Sequence, residues 1–199
     1  MKIVTKTITN DLEYLRQVSE DVDLNDPNLK EYIKTLKEYF SVKSPLAMAA
    51  VQLGIPKRLI YIRNTSLDDL ENKGKDEARV LINPKIVRMT GRTRYWEACA
   101  SCLDMMGLVD RPYEIQVEYY LEDGTLKTEI FTGFEATVLS HEYDHLDGIL
   151  HFDRAVQIYE LPQDKRKEFR ELLPNGGYQI ISKYGDFKYE NNKCLVKIR

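Results

Sequence analysis

Two histidines four residues apart frame the segment of this sequence with the clearest chemistry, His141-Glu142-Tyr143-Asp144-His145. The chain has 199 residues and only three histidines, and two of them fall in this segment. Side chains four apart on a helix project from one face, so both imidazoles can bind one metal ion. Glu142 can reach a water on that ion and move its proton without being a ligand. The spacing therefore predicts a helical metal site for hydrolysis.

A catalytic metal site needs a third protein ligand and an open position, and the sequence offers three solutions. Residues 141–151 fit HExxHxxGxxH, with His151 as a third histidine ligand, a pattern typical of metallo-endopeptidases. Cys99 and Cys102 together with the two histidines would form a closed, structural zinc site. Cys99 alone would complete a Cys-His-His set and leave the fourth position to water.

Two observations bear on these alternatives. The endopeptidase family has a methionine-containing turn after its third histidine, and no methionine follows Met106 here. Finger-type zinc modules separate their Cys and His pairs by about 12–15 residues, whereas Cys102 and His141 lie much further apart. A redox role for the Cys99/Cys102 pair lacks the βαβ context that such motifs normally have.

The choice of Cys99 coincides with a resemblance to a known family, peptide deformylase. Residues 141–148 (HEYDHLDG) resemble its HExDHLxG block, residues 97–101 (EACAS) its EGCLS block, and residues 46–54 (LAMAAVQLG) its GxGLAAxQxG loop. The resemblance extends in order over roughly residues 10–155. In that register Cys99 aligns with the family cysteine, and Arg111-Pro112 also aligns with the family pattern.

The resemblance implies a metal-dependent hydrolase that removes the N-terminal formyl group from N-formylmethionyl nascent polypeptides. It implies one divalent ion, Fe²⁺ or Zn²⁺, with Ni²⁺ or Co²⁺ also bound in vitro. Glu97 and Arg111 would form an internal ion pair that supports the cysteine loop. The resemblance implies that Cys99, His141 and His145 bind the metal and that Glu142 transfers the proton. It implies that the Gln52 side chain and the backbone N–H of Ala100 stabilise the oxyanion.

Four positions depart from the family pattern. Pro45 and Ala47 replace the two loop glycines, Ala98 replaces another glycine, and Ala100 replaces a leucine. Proline removes an N–H donor, and the alanines that replace glycines restrict the backbone. Ala100, which is smaller than leucine, would enlarge or loosen the pocket. We therefore expect a divergent deformylase with altered peptide positioning, the alternative being a relative whose activity is changed or lost.

The side chains expected to contact substrate come from two places. Phe134 and Val138 share the helix face of the histidines, where they would line a pocket for the methionine side chain or simply belong to the core. Pro45, Ala47 and Ala98 lie in the segments that the family uses to hold the peptide in an extended form.

The elements that position these residues are predicted from periodicity. Apolar spacing predicts a helix over 28–40 and a second helix around the histidines that is capped by Gly148. Runs of β-forming residues predict strands at 59–62, 78–82 (ended by Asn83-Pro84), 85–94, and a hairpin of 114–121 with 126–131. This order indicates an α+β fold, with mostly antiparallel sheets around a central helix that carries the HExxH motif.

The organisation of the chain is expected to be a single catalytic domain over residues 1–199. Its deformylase-like core would span residues 1–155. The extension over 156–199 would add a helix near 164–173 and a β-hairpin that pairs 178–183 with 194–198.

Composition limits the partners. Hydrophobic residues make up 43% and charged residues 31%, as in ordinary globular proteins. A net charge of -3 gives no general affinity for nucleic acid, and no run approaches the ~20 apolar residues of a membrane span. The resemblance implies a bacterial, cytoplasmic setting, and the composition adds the expectation of no membrane partner and no specific nucleic acid. The basic run Lys165-Arg166-Lys167 with Arg170 is either a solvated helix face or a transient ribosome contact.

Overall fold

The computed structural model describes residues 5–63 and 78–189, and the backbone of 196–198. The helices in these ranges are α1 (Leu12–Leu15), α2 (Leu29–Lys43), α3 (Gly133–Leu146), α4 (His151–Arg154) and α5 (Arg166–Glu171). The strands are β1 (Ala47–Ala49), β2 (Leu59–Ile62), β3 (Arg79–Ala98), β4 (Met105–Arg111), β5 (Glu114–Tyr120), β6 (Leu126–Thr132), β7 (Ala155–Glu160), β8 (Gln179–Asp186) and β9 (Val196–Ile198). No helix in the described ranges is long and apolar enough to cross a membrane.

These strands form one mixed sheet in which every pairing except that of β7 with β9 is antiparallel. The α+β prediction is confirmed, with one sheet where several were expected. The predicted strand at 59–62 and the β5–β6 hairpin are also found, the latter pairing Glu114 with Thr132 through to Tyr120 with Leu126. The predicted helix at 28–40 extends to Lys43.

Strand β3 organises the sheet because it is 20 residues long and serves several partners in turn. Its first residues pair with β2, its middle with β5, and its last residues with β4. In its second half buried and half-buried residues alternate, as expected of a strand with one face against the core. The strand ends at Ala98, so Cys99 is the first residue after it.

The prediction that Asn83-Pro84 ends a strand is wrong, because β3 runs through both residues. The pairing with β5 shifts register between Ile82 and Lys85, which lets the proline sit at an irregularity and not in a regular ladder. Asn83 adopts a φ of 50°, which asparagine tolerates better than most residues. Its side-chain amide exchanges two hydrogen bonds with the backbone of Val22, at 2.7 and 2.8 Å.

Helix α3, which carries the histidine motif, is buried on most of its sides. Ala136, Leu139 and Leu146 pack into a core cluster with side chains of the sheet, among them Ile60 and Phe131. A helix enclosed in this way is held by packing more than by its own propensity. Its side chains are consequently fixed relative to the sheet.

The chain leaves α3 through Gly148, the predicted cap. Gly148 has a φ of 69° and donates its N–H to the His145 carbonyl at 3.2 Å. The backbone of Arg16 lies so close that a Cβ at this position would collide with the Arg16 carbonyl oxygen. Glycine is therefore required by both conformation and space.

The extension does not form the predicted hairpin. Strand β8 pairs antiparallel with β3 over Thr90 to Arg94, on the edge opposite to β4, whereas β9 pairs parallel with β7. Each strand therefore takes its hydrogen bonds from a different strand of the core, since both core strands offer a free edge there. The predicted helix near 164–173 is found in shorter form, as a 3₁₀ turn (Gln163–Lys165) followed by α5.

Replacing Gly148 with alanine is expected to lower the free energy of unfolding by about 2–4 kcal/mol, since left-handed strain adds to overpacking. Gly124 is the matched control, because it has a φ of 84° but nothing within 4 Å of an added Cβ. Gly124→Ala should cost only about 1 kcal/mol. Urea unfolding of both variants measures the difference, and equal losses would contradict the steric argument.

Candidate metal centre

Cys99, His141 and His145 form a buried cluster in which one ligand atom of each residue lies within 4.8 Å of the others. The Cys99 Sγ is 3.2 Å from Nε2 of His145. Cys99 comes from the loop after β3, whereas both histidines project from α3. Within the described part of the chain, this cluster does not include the other two candidate ligands, His151 and Cys102.

The orientation of His141 is set by a carboxylate. Its Nδ1 donates to Glu97 Oε2 at 2.8 Å, which leaves Nε2 free to bind an ion. Arg111 holds Glu97 in turn, with Nε 2.7 Å from Oε1 and Nη2 2.9 Å from Oε2. Burial alone would raise the pKa of Glu97, but the Arg111 charge and these hydrogen bonds hold it well below its usual range. The predicted Glu97–Arg111 ion pair is therefore present.

Asp144, the second acidic residue between the two histidines, belongs to the same network. It accepts hydrogen bonds from Arg111 in β4 and, at 3.0 Å, from Arg154 of α4. No role for Asp144 was predicted from the sequence. Its position near the end of a helix expected to be buried could have indicated a role, because a buried charge has to be paired.

The Cys99 thiol lies in surroundings that favour the thiolate, the form that binds metals. A hydrogen bond from Cys102 lowers the pKa of Cys99 most, burial opposes it, and the charge of His145 lowers it further. The backbone N–H of Ser101 also donates to Sγ at 3.4 Å. Two imidazoles and one thiolate suit Zn²⁺ or Fe²⁺, so the donor set fits a single divalent ion.

Two further predicted residues, Glu142 and Gln52, meet at one backbone amide. The N–H of Ala49 donates to Glu142 Oε2 at 2.8 Å and to Gln52 Oε1 at 3.0 Å. The Gln52 Nε2 donates to Cys99 Sγ at 3.4 Å and to Ser101 Oγ at 3.1 Å. Burial raises the pKa of Glu142, although the charges of the two histidines oppose the shift. Both side chains therefore lie beside the metal cluster.

A cavity of about 380 Å³ opens onto these residues. The proposed metal ligands, catalytic residues and substrate contacts all line it except His145, which is buried. The alternative ligands His151 and Cys102 are not in the lining. Phe134 both lines the cavity and belongs to the core. Its ring packs edge to face on Tyr95 and on Tyr178, with centroids 5.3 and 5.5 Å apart. The predicted residues in the lining are Pro45, Ala47, Gln52, Ala98, Cys99, Ala100, Phe134, Val138, His141 and Glu142.

Two cationic residues in the lining were not predicted as site residues from the sequence. Arg166 and Arg170 face the cavity, so the description of this basic run as a solvated face is wrong for half of it. Lys165 and Lys167 do point to solvent. The signal was available in the spacing, since Arg166, Phe169 and Arg170 share one helix face and one of them is aromatic.

Cys99→Ala is expected to lower metal affinity by more than about 100-fold, since even residues that only support ligands contribute about 10–100-fold. Cys102→Ala is the matched control, because it removes a buried thiol outside the cluster. It should keep its metal. Elemental analysis after anaerobic purification measures both variants, and loss of metal from Cys102→Ala alone would contradict the assignment.

The match to known proteins agrees with this geometry. A model of the polypeptide deformylase family matches residues 4–160. A peptide deformylase from Flavobacterium johnsoniae is 36% identical over 166 residues, covering 79% of this chain and 85% of the relative. One from Clostridium perfringens is 35% identical, covering 79% of this chain and 97% of the relative.

Solved structures give the same result. A probable peptide deformylase from Synechococcus phage S-SSM7 is 34% identical, with a TM-score of 0.66, covering 77% of this chain and 99% of the other. A peptide deformylase from Synechococcus elongatus in complex with actinonin is 31% identical, with a TM-score of 0.67. The match covers 77% of this chain and 80% of the other. Sequence and fold agree over most of the chain, and the protein described here belongs to the peptide deformylase family.

Proposed function

We propose that this protein hydrolyses the N-terminal formyl group of N-formylmethionyl polypeptides with the help of one divalent metal ion. Family membership supports the reaction class. The observation that carries the proposal is the Cys99–His141–His145 cluster, which opens onto a cavity with the Glu142 carboxylate at its side. We propose the whole of residues 1–199 as one catalytic unit.

The ion would be held by Cys99 Sγ, His141 Nε2 and His145 Nε2. We propose Fe²⁺ or Zn²⁺ as the resident ion, with Ni²⁺ or Co²⁺ able to replace it in vitro, because thiolate and imidazole donors accept all of them. A bound divalent ion supplies Lewis acidity, which polarises a carbonyl and lowers the pKa of water toward ~7.

Glu142 is the proposed carrier of the proton. Its carboxylate accepts a proton from the water that attacks the formyl carbon, and then delivers it to the peptide nitrogen as the C–N bond breaks and formate leaves. Burial, which raises the pKa of Glu142, makes the protonated form easier to reach. The Ala49 N–H binds Oε2 at 2.8 Å and so leaves Oε1 to face the water.

The negative charge that develops on the formyl oxygen needs hydrogen-bond donors. We propose the Gln52 amide and the backbone N–H of Ala100 for this role, the latter on an exposed loop residue at the cavity. Gln52 is already oriented, because the Ala49 N–H binds its Oε1 and one N–H of its Nε2 donates to Ser101 Oγ. The other N–H, whose nitrogen is 3.4 Å from Cys99 Sγ here, is the proposed donor to the oxyanion. Donors held in place before the reaction cost no reorganisation during it.

The peptide is proposed to place its methionine side chain against Phe134 and Val138. Its backbone would then run past Pro45, Ala47 and Ala98. Because Pro45 has no N–H, the peptide has one backbone donor fewer available there than in relatives with glycine. We therefore propose a shifted preference for the residues after methionine.

The substrate class suggests where the enzyme works. Formylated nascent chains are made in the bacterial cytoplasm, and we propose that location for this protein. Lys165 and Lys167 are the exposed members of the basic run, and they are our candidates for a transient ribosome contact. Arg166 and Arg170 line the cavity, so they are not candidates for the ribosome contact.

Glu142→Gln is expected to reduce kcat for formate release from formyl-Met-Ala-Ser by about 10²–10⁴-fold, the usual contribution of a positioned acid or base. The variant keeps the shape of the side chain, so metal content should be unchanged. Formate release and elemental analysis are measured on the same sample. Full activity in the metal-loaded variant would overturn the proton-transfer role.

Gln52→Ala is expected to lower kcat by about 10²–10³-fold, the cost of losing one oxyanion donor in other enzymes. Ser101→Ala is its control, since it removes an acceptor of Gln52 but leaves the donor itself in place. That variant should lose much less. Equal losses of kcat in the two variants would mean that Gln52 acts only by supporting the loop.

A further inference from the structure

The C-terminal extension contributes two cationic side chains to the cavity of the metal centre. Arg166 and Arg170 are four residues apart on α5 and both line the cavity. Phe169 holds this helix in place, because its ring packs edge to face on Trp96 of β3 with 5.4 Å between centroids. The family model ends at residue 160, so these side chains lie outside the matched core.

The position of Arg170 is fixed by β3. Its guanidinium lies over the ring of Tyr95, 5.2 Å from the centroid, and its Nη2 donates to the Trp96 carbonyl at 3.1 Å. Tyr95 and Trp96 lie near the end of β3, a few residues before Cys99. The charge of Arg170 is thus attached to the strand that leads to the metal centre.

Neither arginine has a carboxylate partner within the described residues. Nε and Nη2 of Arg166 and Nε of Arg170 are buried without a hydrogen bond there. The two acidic residues that line the cavity bind other groups. Glu97 binds Arg111 and His141, and Glu142 binds the Ala49 amide. On the outer face of α5, by contrast, the lysines pair with Glu168 and Glu171.

This arrangement is unfavourable as it stands. Burial is the main cause of a lowered pKa for Arg166, and the like charge of Arg170 adds to it, while Asp104 opposes it. Half-buried cations gain most from an anion that completes their hydrogen bonds. The unpaired donors therefore favour a negatively charged group on whatever occupies the cavity.

We propose that Arg166 and Arg170 bind a carboxylate of the substrate peptide on the C-terminal side of its methionine, and so determine specificity. The inference rests on the proposed function, because it needs the formyl group at the metal centre. The rest of the peptide then leaves through the mouth of the cavity. The carboxylate comes either from an Asp or Glu side chain or from the C-terminus of a short peptide.

Four formylated peptides separate the two sources. Formyl-Met-Ala-Asp amide is compared with formyl-Met-Ala-Asn amide, and formyl-Met-Ala-Ala acid with its amide. At least one acidic peptide should exceed its neutral partner in kcat/KM by about tenfold, which corresponds to about 1.4 kcal/mol. Ratios near one for both pairs overturn the proposal.

Variants assign the effect to the arginines. Arg166→Gln and Arg170→Gln should each lower the acidic-to-neutral ratio, and Arg166→Glu should favour formyl-Met-Ala-Lys amide over the Asp peptide. Lys167→Gln is the matched control, because Lys167 lies on the same helix, is exposed and pairs with Glu171. It should leave the ratio unchanged. An undiminished ratio in both glutamine variants, or an equal drop in Lys167→Gln, overturns the proposal.

Binding of the unformylated product separates this inference from the proposed function. Calorimetric titration with Met-Ala-Asp amide, Met-Ala-Asn amide and Met-Ala-Ala in acid and amide form requires no turnover. If no peptide releases formate but the acidic products bind about tenfold more tightly, the reaction assignment fails and the carboxylate site stands. If formate is released without any acidic preference in rate or binding, only the carboxylate site fails.

Discussion

The buried guanidinium of Arg111 is the constraint on which the metal centre depends. It is fully enclosed, and a charge in that position is tolerated only when its partners are in place. Those partners are Glu97 on β3 and Asp144 on α3. One side chain therefore ties together two neighbouring strands and the helix of the histidines. Because Glu97 also binds Nδ1 of His141, the same ion pair sets which nitrogen of that ring is free.

A second anchor acts on the residues that would perform the reaction. The Ala49 amide binds both the Glu142 carboxylate and the Gln52 side chain, which come from different elements. Ala49 is completely buried, so water does not compete for this donor. The proposed proton carrier and the proposed oxyanion donor consequently share one fixed reference point. Rigid support of this kind is what preorganised catalysis requires.

The extension is built into the sheet in a way that gives it access to the cavity. Strand β8 continues the pairing of β3, and α5 rests on the aromatic side chains of Trp96 and Tyr159. The first attachment is to Thr90–Arg94 and the second includes Trp96, both on the strand that leads to Cys99. An added segment can thus change what the cavity binds while leaving the metal cluster unchanged.

The sequence by itself determined the parts of this protein that depend on local spacing. Two histidines one helical turn apart with an adjacent Glu142 predicted the metal helix, and two neighbouring runs of β-forming residues predicted the β5–β6 hairpin. The Glu97–Arg111 ion pair came from a resemblance to known motifs and not from periodicity. Local spacing alone left Cys99, Cys102 and His151 open as further ligands, because it does not show which of them comes near the two histidines.

Only the tertiary structure decided which distant groups meet. It placed Cys99 in the cluster and left His151 and Cys102 outside, since the path of β3 and not sequence distance sets which sulfur reaches α3. It carried β3 through Asn83-Pro84, because side-chain bonds to Val22 and a register shift accommodate both residues. It separated β8 from β9, since a strand pairs with whichever edge is free in space, and a sequence does not record those edges.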